Sequence, residues 1–225
     1  MGRNQEKDAM EMAARNRRIL EEGFAIFAEK GIGNVAMTDV AKAAGIGVAS
    51  LYRYYSTKQE LVLAIGTWAW RRYFEEQIRK MNKMEAAVKN AAESVDLFLD
   101  AFLDLYRNHK DLLRFNQFFN VYLQSESVPL ERTQAYTGVI GSLEERFALI
   151  YRRGQEDGSL RSDISEEAMF STMTHLMLAA VTRYAVGLVY FNRETNEEKE
   201  LITQKQLLLN CFCTANNTWT GEERA

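Results

Sequence analysis

The stretch from Thr38 to Lys58 is rich in side chains that donate hydrogen bonds: Thr38, Ser50, Tyr52, Arg53, Tyr54 and Lys58. Grouped this closely, such groups suit the oxygen atoms of phosphates and the acceptor edges of bases. Between them small and apolar residues fall at set offsets: Ala41, then Gly45 four residues on, then Leu51 six after that. Two short helices crossing at a steep angle demand this pattern. Ala41 lets the second helix approach, Gly45 makes a turn where a β-carbon would clash, and Leu51 packs the second helix back on the first. Val40, Ala44 and Ile46 complete the wedge. An ordinary helical hairpin needs the small residues too, but it has no need for Tyr52, Arg53, Tyr54 and Lys58 just beyond its turn.

The elements that must hold this group are helical. A single proline, Pro129, and 13 glycines in 225 residues leave little turn chemistry for a many-stranded chain. Residues 8–30 read as one amphipathic helix with Ile19, Leu20, Phe24, Phe27 and Ala28 on its apolar side, closed by Lys30 and Gly31. Residues 31–34 form a turn. Thr38 is the expected N-cap of a helix over 39–44, with Asp39 at its positive end. Residues 48–54 form the next helix. Thr57 and Glu60 have capping-box spacing, as do Ser56 and Gln59 one register earlier, so a long helix is expected from Lys58 to about Met81. Further helices are expected over 85–107, 110–124, 129–153, 165–190 and 197–217. The fold expected is all-α with about nine helices: a three-helix helix-turn-helix domain over 1–60, then a helical bundle over 61–225.

Composition narrows the function. The 47% hydrophobic and 26% charged residues match an ordinary globular protein, and a net charge of −3 speaks against indiscriminate coating of nucleic acid. Residues 1–60 are close to charge balance, so a local basic patch can sit on an acidic body. Cys211 and Cys213, two positions apart on a helix, are poorly placed for a mutual disulfide and are expected as buried thiols. The N-terminus lacks the apolar core of a signal peptide, and the apolar run Leu176–Val181 is too short to span a bilayer. A cytoplasmic location is expected.

Phe24 to Gly31, Thr38 to Gly45 and Ser50 to Leu61 together resemble the DNA-binding domain of the TetR (tetracycline repressor) family. The resemblance covers about residues 15–65, and beyond it the approach to the penultimate helix, Gly158 to Asp163, is similar too. It implies a homodimer that binds double-stranded DNA, carries a variable ligand-binding bundle, and represses transcription until a small molecule releases it. Residue by residue, it places Val48, Ala49 and Ser50 at the start of the recognition helix in the major groove. It makes Tyr52 a phosphate contact, with Thr38 and Lys58 anchoring phosphate from two helix N-termini. Arg53 and Tyr54 reach either a base or the backbone. Tyr55 stands where the family usually has Phe, and its hydroxyl is expected to matter little. Arg15, Arg17 and Arg18 either touch DNA or form a solvated helix face.

In the bundle, the helices over 165–190 and 197–217 are apolar over wide arcs. Met169, Met173, Leu176, Met177 and Ala180 are expected inward, and Leu201, Leu208, Leu209 and Phe212 are strongly apolar. Burial on more than one side fits isologous pairing of these two helices, and two recognition helices about 34–36 Å apart read a palindrome. The middle segment is dense in aromatics. A largely hydrophobic effector is expected, with Trp68, Phe102, Tyr106, Phe115, Phe119, Tyr122, Phe147, Tyr151 and His175 as candidate lining residues. Core packing is the competing role for each of them. The helix starting near Lys58 is the expected route of coupling.

No cofactor, no metal and no enzymatic activity are expected. A di-iron bundle needs Glu-x-x-His, whereas Tyr106 and Thr172 stand three positions before the two histidines. Phosphate-loop, dinucleotide and HExxH patterns are missing from the sequence. The competing readings are an activator of the same architecture and a helical interaction module that has lost DNA contact.

Overall fold

Apolar periodicity governs the elements. The computed structural model describes residues 2–84, 87–187 and 196–214, with side chains from residue 6 onward. Among them lie nine α-helices: α1 (Gly2–Lys30), α2 (Met37–Ala43), α3 (Val48–Tyr54), α4 (Lys58–Met84), α5 (Ala91–Asn108), α6 (Lys110–Ser125), α7 (Gln134–Asp157), α8 (Glu166–Val186) and α9 (Glu197–Phe212). Short 3-10 turns occupy Ile32–Asn34 and Leu130–Thr133, and the described residues hold no strand beyond a single bridge between Leu160 and Cys213. The expected all-α architecture is observed.

Several ends differ from expectation for local reasons. α5 starts at Ala91 rather than near residue 85, because Asn90 adopts an extended conformation and its side chain caps Glu93 N–H at 3.1 Å. Pro129 precedes the 3-10 turn, and α7 proper begins at Gln134. α8 stops at Val186 because Gly187 takes φ 108°. α9 stops at Phe212, where Cys213 turns extended to pair with Leu160. Tyr190 and residues 215–217, which were expected to be helical, lie outside the described residues. Of the two cysteines, Cys213 is buried but Cys211 is exposed. The expectation of two buried thiols is corrected by the register of α9.

The chain forms two compact units, Met1–Tyr73 with Arg114–Val139, and Phe74–Leu113 with Ile140–Ala225. The first buries Ile19, Phe27, Val40, Leu51, Leu61 and Ile65 together with Phe115 and Phe119 from α6. Gly66 makes this possible: a β-carbon there would stand 2.7 Å from Cε2 of Phe119, so only glycine lets the ring seat against the α4 backbone.

In the second unit the Phe98 ring lies 5.3 Å from Phe147, 5.7 Å from Phe102 and 6.2 Å from Phe170, centroid to centroid. Met169, Met173 and Met177 of α8 and Leu201, Leu208, Leu209 and Phe212 of α9 are buried as expected, but Leu176 is 57% exposed. Polar ties close the unit: Lys205 Nζ bridges Asp96 at 2.8 Å and Asp100 at 2.5 Å. The α5 N-terminus spends its free N–H groups on Asp157 (2.8 Å from Ala91 N) and Ser159 (3.1 Å from Ala92 N).

Candidate nucleic-acid interface

The turn between α2 and α3 follows from its residues. Gly45 N–H donates to Lys42 O at 3.1 Å and Ile46 N–H to Ala41 O at 2.9 Å, the paired bonds of a Schellman motif. The residue between those bonds must be left-handed, and Gly45 has φ 64°. Ala41, Ala44 and Leu51 are fully buried at the crossing. With that face spent on packing, α3 turns Ala49, Tyr52 and Arg53 outward, while Val48, Ser50 and Tyr54 are half-buried.

The start of α2 differs from expectation. Ala36 occupies the N-cap, its N–H donating to Asp39 Oδ2 at 2.8 Å, so the helix begins at Met37. Alanine has no side-chain acceptor, so only this half of a capping box exists. Thr38 is therefore an exposed first-turn residue rather than the cap. At α4 the box works differently: Glu60 N–H donates to Thr57 Oγ1 at 3.1 Å, while the Glu60 carboxylate reaches back to Ser56 N–H at 2.8 Å.

These helix starts meet at a cleft of about 480 Å³ lined by Thr38, Asp39, Tyr52 and Lys58 with the segment from Gly33 to Met37. The three expected phosphate anchors, Thr38, Tyr52 and Lys58, thus share one concavity. The negative member, Asp39, is already engaged with Ala36. Lys58 Nζ donates to Ile32 O at 2.6 Å and lies 5.5 Å from the centre of the Tyr122 ring. Burial pulls its ammonium below the usual lysine value, against the opposing charges of Glu126 and Asp39. On α3, Arg53 Nη2 donates to Ser50 Oγ at 3.0 Å, which joins two of the expected readers into one unit.

Asn16, which the sequence did not single out, ties α1 to the end of α3. Tyr55 Oη donates to Asn16 Oδ1 at 2.7 Å, and burial raises the phenol above its ordinary value. The Tyr55 hydroxyl is a bonded group, contrary to the expectation that it matters little; a tyrosine in a phenylalanine position was the available signal. Arg18 lies across the turn, its Nη2 2.8 Å from where a β-carbon on Gly45 would stand. Arg17 instead pairs with Glu21 at 2.8 Å on an exposed helix face.

The candidate effector residues divide between the units. Trp68, Phe115, Phe119 and Tyr122 belong to the first, where Phe24 lies 5.3 Å from Phe115 and 6.1 Å from Trp68, and Phe115 stacks on Phe119 at 5.6 Å. Asn116 is buried there because it accepts from Trp70 Nε1 at 3.3 Å. Phe102, Tyr106, Phe147, Tyr151 and His175 belong to the second. Tyr106 donates to Glu197, and burial together with that carboxylate pushes its phenol up to about 12. Tyr151 donates to Ile164 O at 2.9 Å, and His175 is exposed on α8. Among the described residues no three metal-ligating side chains come together, and no helix is long and apolar enough to cross a membrane.

Residues 19–65 match the family model described as bacterial regulatory proteins, tetR family. The chain is 26% identical over 191 residues to the HTH-type transcriptional repressor KstR2 of Rhodococcus jostii, covering 80% of this chain and 84% of that protein. Among solved structures, the regulator FadR from Bacillus subtilis in complex with stearoyl-CoA aligns with a TM-score of 0.67 at 16% identity, covering 86% of this chain and 97% of that one. A Saccharomonospora viridis regulator in complex with choline aligns with a TM-score of 0.67 at 18% identity, covering 90% and 99%. Residues 19–65 are thus a DNA-binding domain of the tetR family of bacterial regulatory proteins, and the chain that carries it is a DNA-binding transcriptional regulator.

Proposed function

We propose that this regulator is a cytoplasmic repressor that binds a palindromic or near-palindromic operator as an isologous dimer and leaves it when a small, largely hydrophobic molecule binds. The observation that carries the DNA half is the shared cleft of Thr38, Tyr52 and Lys58 beside the outward residues of α3. Phosphate contacts fix register, and base contacts from Val48, Ala49, Ser50, Arg53 and Tyr54 specify sequence. Residues 1–60 carry recognition, and the rest carries dimerisation and the effector.

Dimerisation rests on α8 and α9. Leu176 is 57% exposed, Val186 52%, Ile202 45% and Leu207 63%, apolar area that a second copy covers. Repression is supported by the name of the Rhodococcus relative, and effector binding by the stearoyl-CoA and choline complexes of the solved neighbours. The chain acts by binding and catalyses no reaction. α4 begins at the DNA-facing cleft and runs on into the second unit, which makes it the route of coupling. A ligand shifts only an equilibrium whose two states it binds differently.

Selection of sites from random DNA by the purified protein tests the reading. A two-fold symmetric sequence should emerge, with affinity falling steeply with salt. Lys58→Ala should lower the salt slope by about 0.9, the value for one phosphate contact, while Arg53→Ala should relax preference at particular base pairs. Failure to enrich any sequence would overturn the proposal.

A further inference from the structure

The second unit contains a cleft that none of the nine candidate effector residues lines. It has a volume of about 170 Å³ and includes Asn82 of α4, Ser94 and Leu97 of α5, and Arg146, Leu149 and Ile150 of α7. Its walls are apolar and open: Leu149 is 59% exposed, and Leu97 and Ile150 are half-buried. Arg146 is half-buried beside them. Its Nη2 donates to Asn82 Oδ1, a neutral acceptor, and no carboxylate among the described residues pairs with it. By contrast, Arg107 and Lys205 in the same unit are ion-paired.

A cation held at an apolar cleft by an amide alone keeps most of its guanidinium donors free. The Asn82 oxygen is used, so its NH₂ group remains to donate. The Ser94 hydroxyl makes no hydrogen bond among the described residues. Three donors of one polarity therefore border a hydrocarbon wall. The cleft is open on the side of the exposed Leu149, which lets a hydrocarbon tail project from it.

We infer that this cleft binds a small amphiphilic monocarboxylate. The carboxylate sits on Arg146, flanked by the Asn82 amide and the Ser94 hydroxyl, and the hydrocarbon body lies along Leu97, Leu149 and Ile150. Charge-assisted bonds to a guanidinium are roughly twice as strong as neutral ones, so the head sets affinity and sign while the body adds apolar burial. This deepens the effector reading of the second unit by naming the class of molecule, and it fails separately from that reading.

Calorimetric titration of the full-length protein with octanoate, 1-octanol and octylamine tests it. Octanoate should bind, octanol at least tenfold more weakly, and octylamine not at all. Arg146→Gln should weaken octanoate at least tenfold and leave octanol unchanged, while Arg146→Lys should recover part of the loss. Leu149→Asp, at an exposed position, brings a carboxylate to the mouth and should weaken octanoate without lowering the melting temperature. The proposal is overturned if octanoate gives no binding, if octylamine matches it, or if both Arg146→Gln and Leu149→Asp bind octanoate like the wild type. It is overturned equally if Leu149→Asp disrupts self-association, since the cleft then belongs to an interface between copies. Octanoate binding with unchanged operator affinity would uphold the site and sink its role as the effector pocket.

Discussion

In the first unit the α6 rings stack on each other and one of them, Phe119, is seated on the bare backbone at Gly66; in the second, the rings of α5, α7 and α8 meet only as a cluster of rings. Phe119 seats on Gly66 with no room for a β-carbon, and the α2–α3 crossing is closed by Ala41, Ala44 and Leu51 with no exposure. Phe98, Phe102, Phe147 and Phe170 surround one another at centroid distances of 5.3–6.2 Å, an arrangement that rotations of the rings can readjust. The two cores differ in what they tolerate: the seat of Phe119 has no space for an added carbon at Gly66, whereas a ring cluster can close around a lost one.

The largest expected effect tests that contrast directly. Phe119→Ala should cost about 3–5 kcal/mol in urea unfolding and abolish operator binding, although residue 119 lies far from α3 in sequence. Phe98→Ala should fall at the low end of the same range, because the surrounding rings collapse into the space. Equal costs would break the comparison. A smaller effect sharpens it: Tyr55→Phe removes a donor from Asn16 and should cost about 0.5–1.5 kcal/mol. DNA affinity should fall with it, because α1 loses its tie to the end of α3. If stability and affinity are both unchanged, that hydrogen bond plays no part in positioning.

The smallest effect concerns the rim of the second unit. Burial alone would raise the Asp104 carboxyl, but bonds from Asn108, Lys80 and Gln77 and the Lys80 charge outweigh it, leaving Asp104 below the ordinary carboxylate value. A lowered folded-state value means the unfolded chain binds the proton first. The stabilisation is therefore complete above the unfolded value of about 3.9 and disappears as pH falls through the lower folded one. The stability gap between wild type and Asp104→Asn should be constant near neutrality and shrink on acidification. A gap that widens below pH 4 in urea melts would contradict this.

The helix-turn-helix was legible because its constraints are local and steric: a left-handed residue at Gly45, a small one at Ala41 and an apolar knob at Leu51, all within eleven positions. Thr38 misled because Thr and Asp both favour the N-cap, and the winning bond runs from Ala36 to the Asp39 side chain. The end of α9 was hidden for another reason, since the pairing of Cys213 with Leu160 joins residues more than fifty apart. The aromatics of α4 to α7 showed their apolar character but not their destination. Nothing in helical periodicity says that Phe115 and Phe119 fill the first unit while Phe147 fills the second. Arg146 was equally silent, one arginine of several on α7, distinguished only by the neutral company it keeps.

The seat of Phe119 on Gly66 has a consequence for anyone exchanging recognition modules between regulators. A donor fragment cut after α3, or even after Tyr73, leaves behind the α6 rings that complete its interior. A chimera cut after Tyr73 sets a foreign α6 against the notch at Gly66, where a bulkier graft partner jams and a smaller one leaves a hole. Specificity swaps should therefore carry two pieces, residues 1–73 and 114–139, or confine themselves to the outward positions of α3.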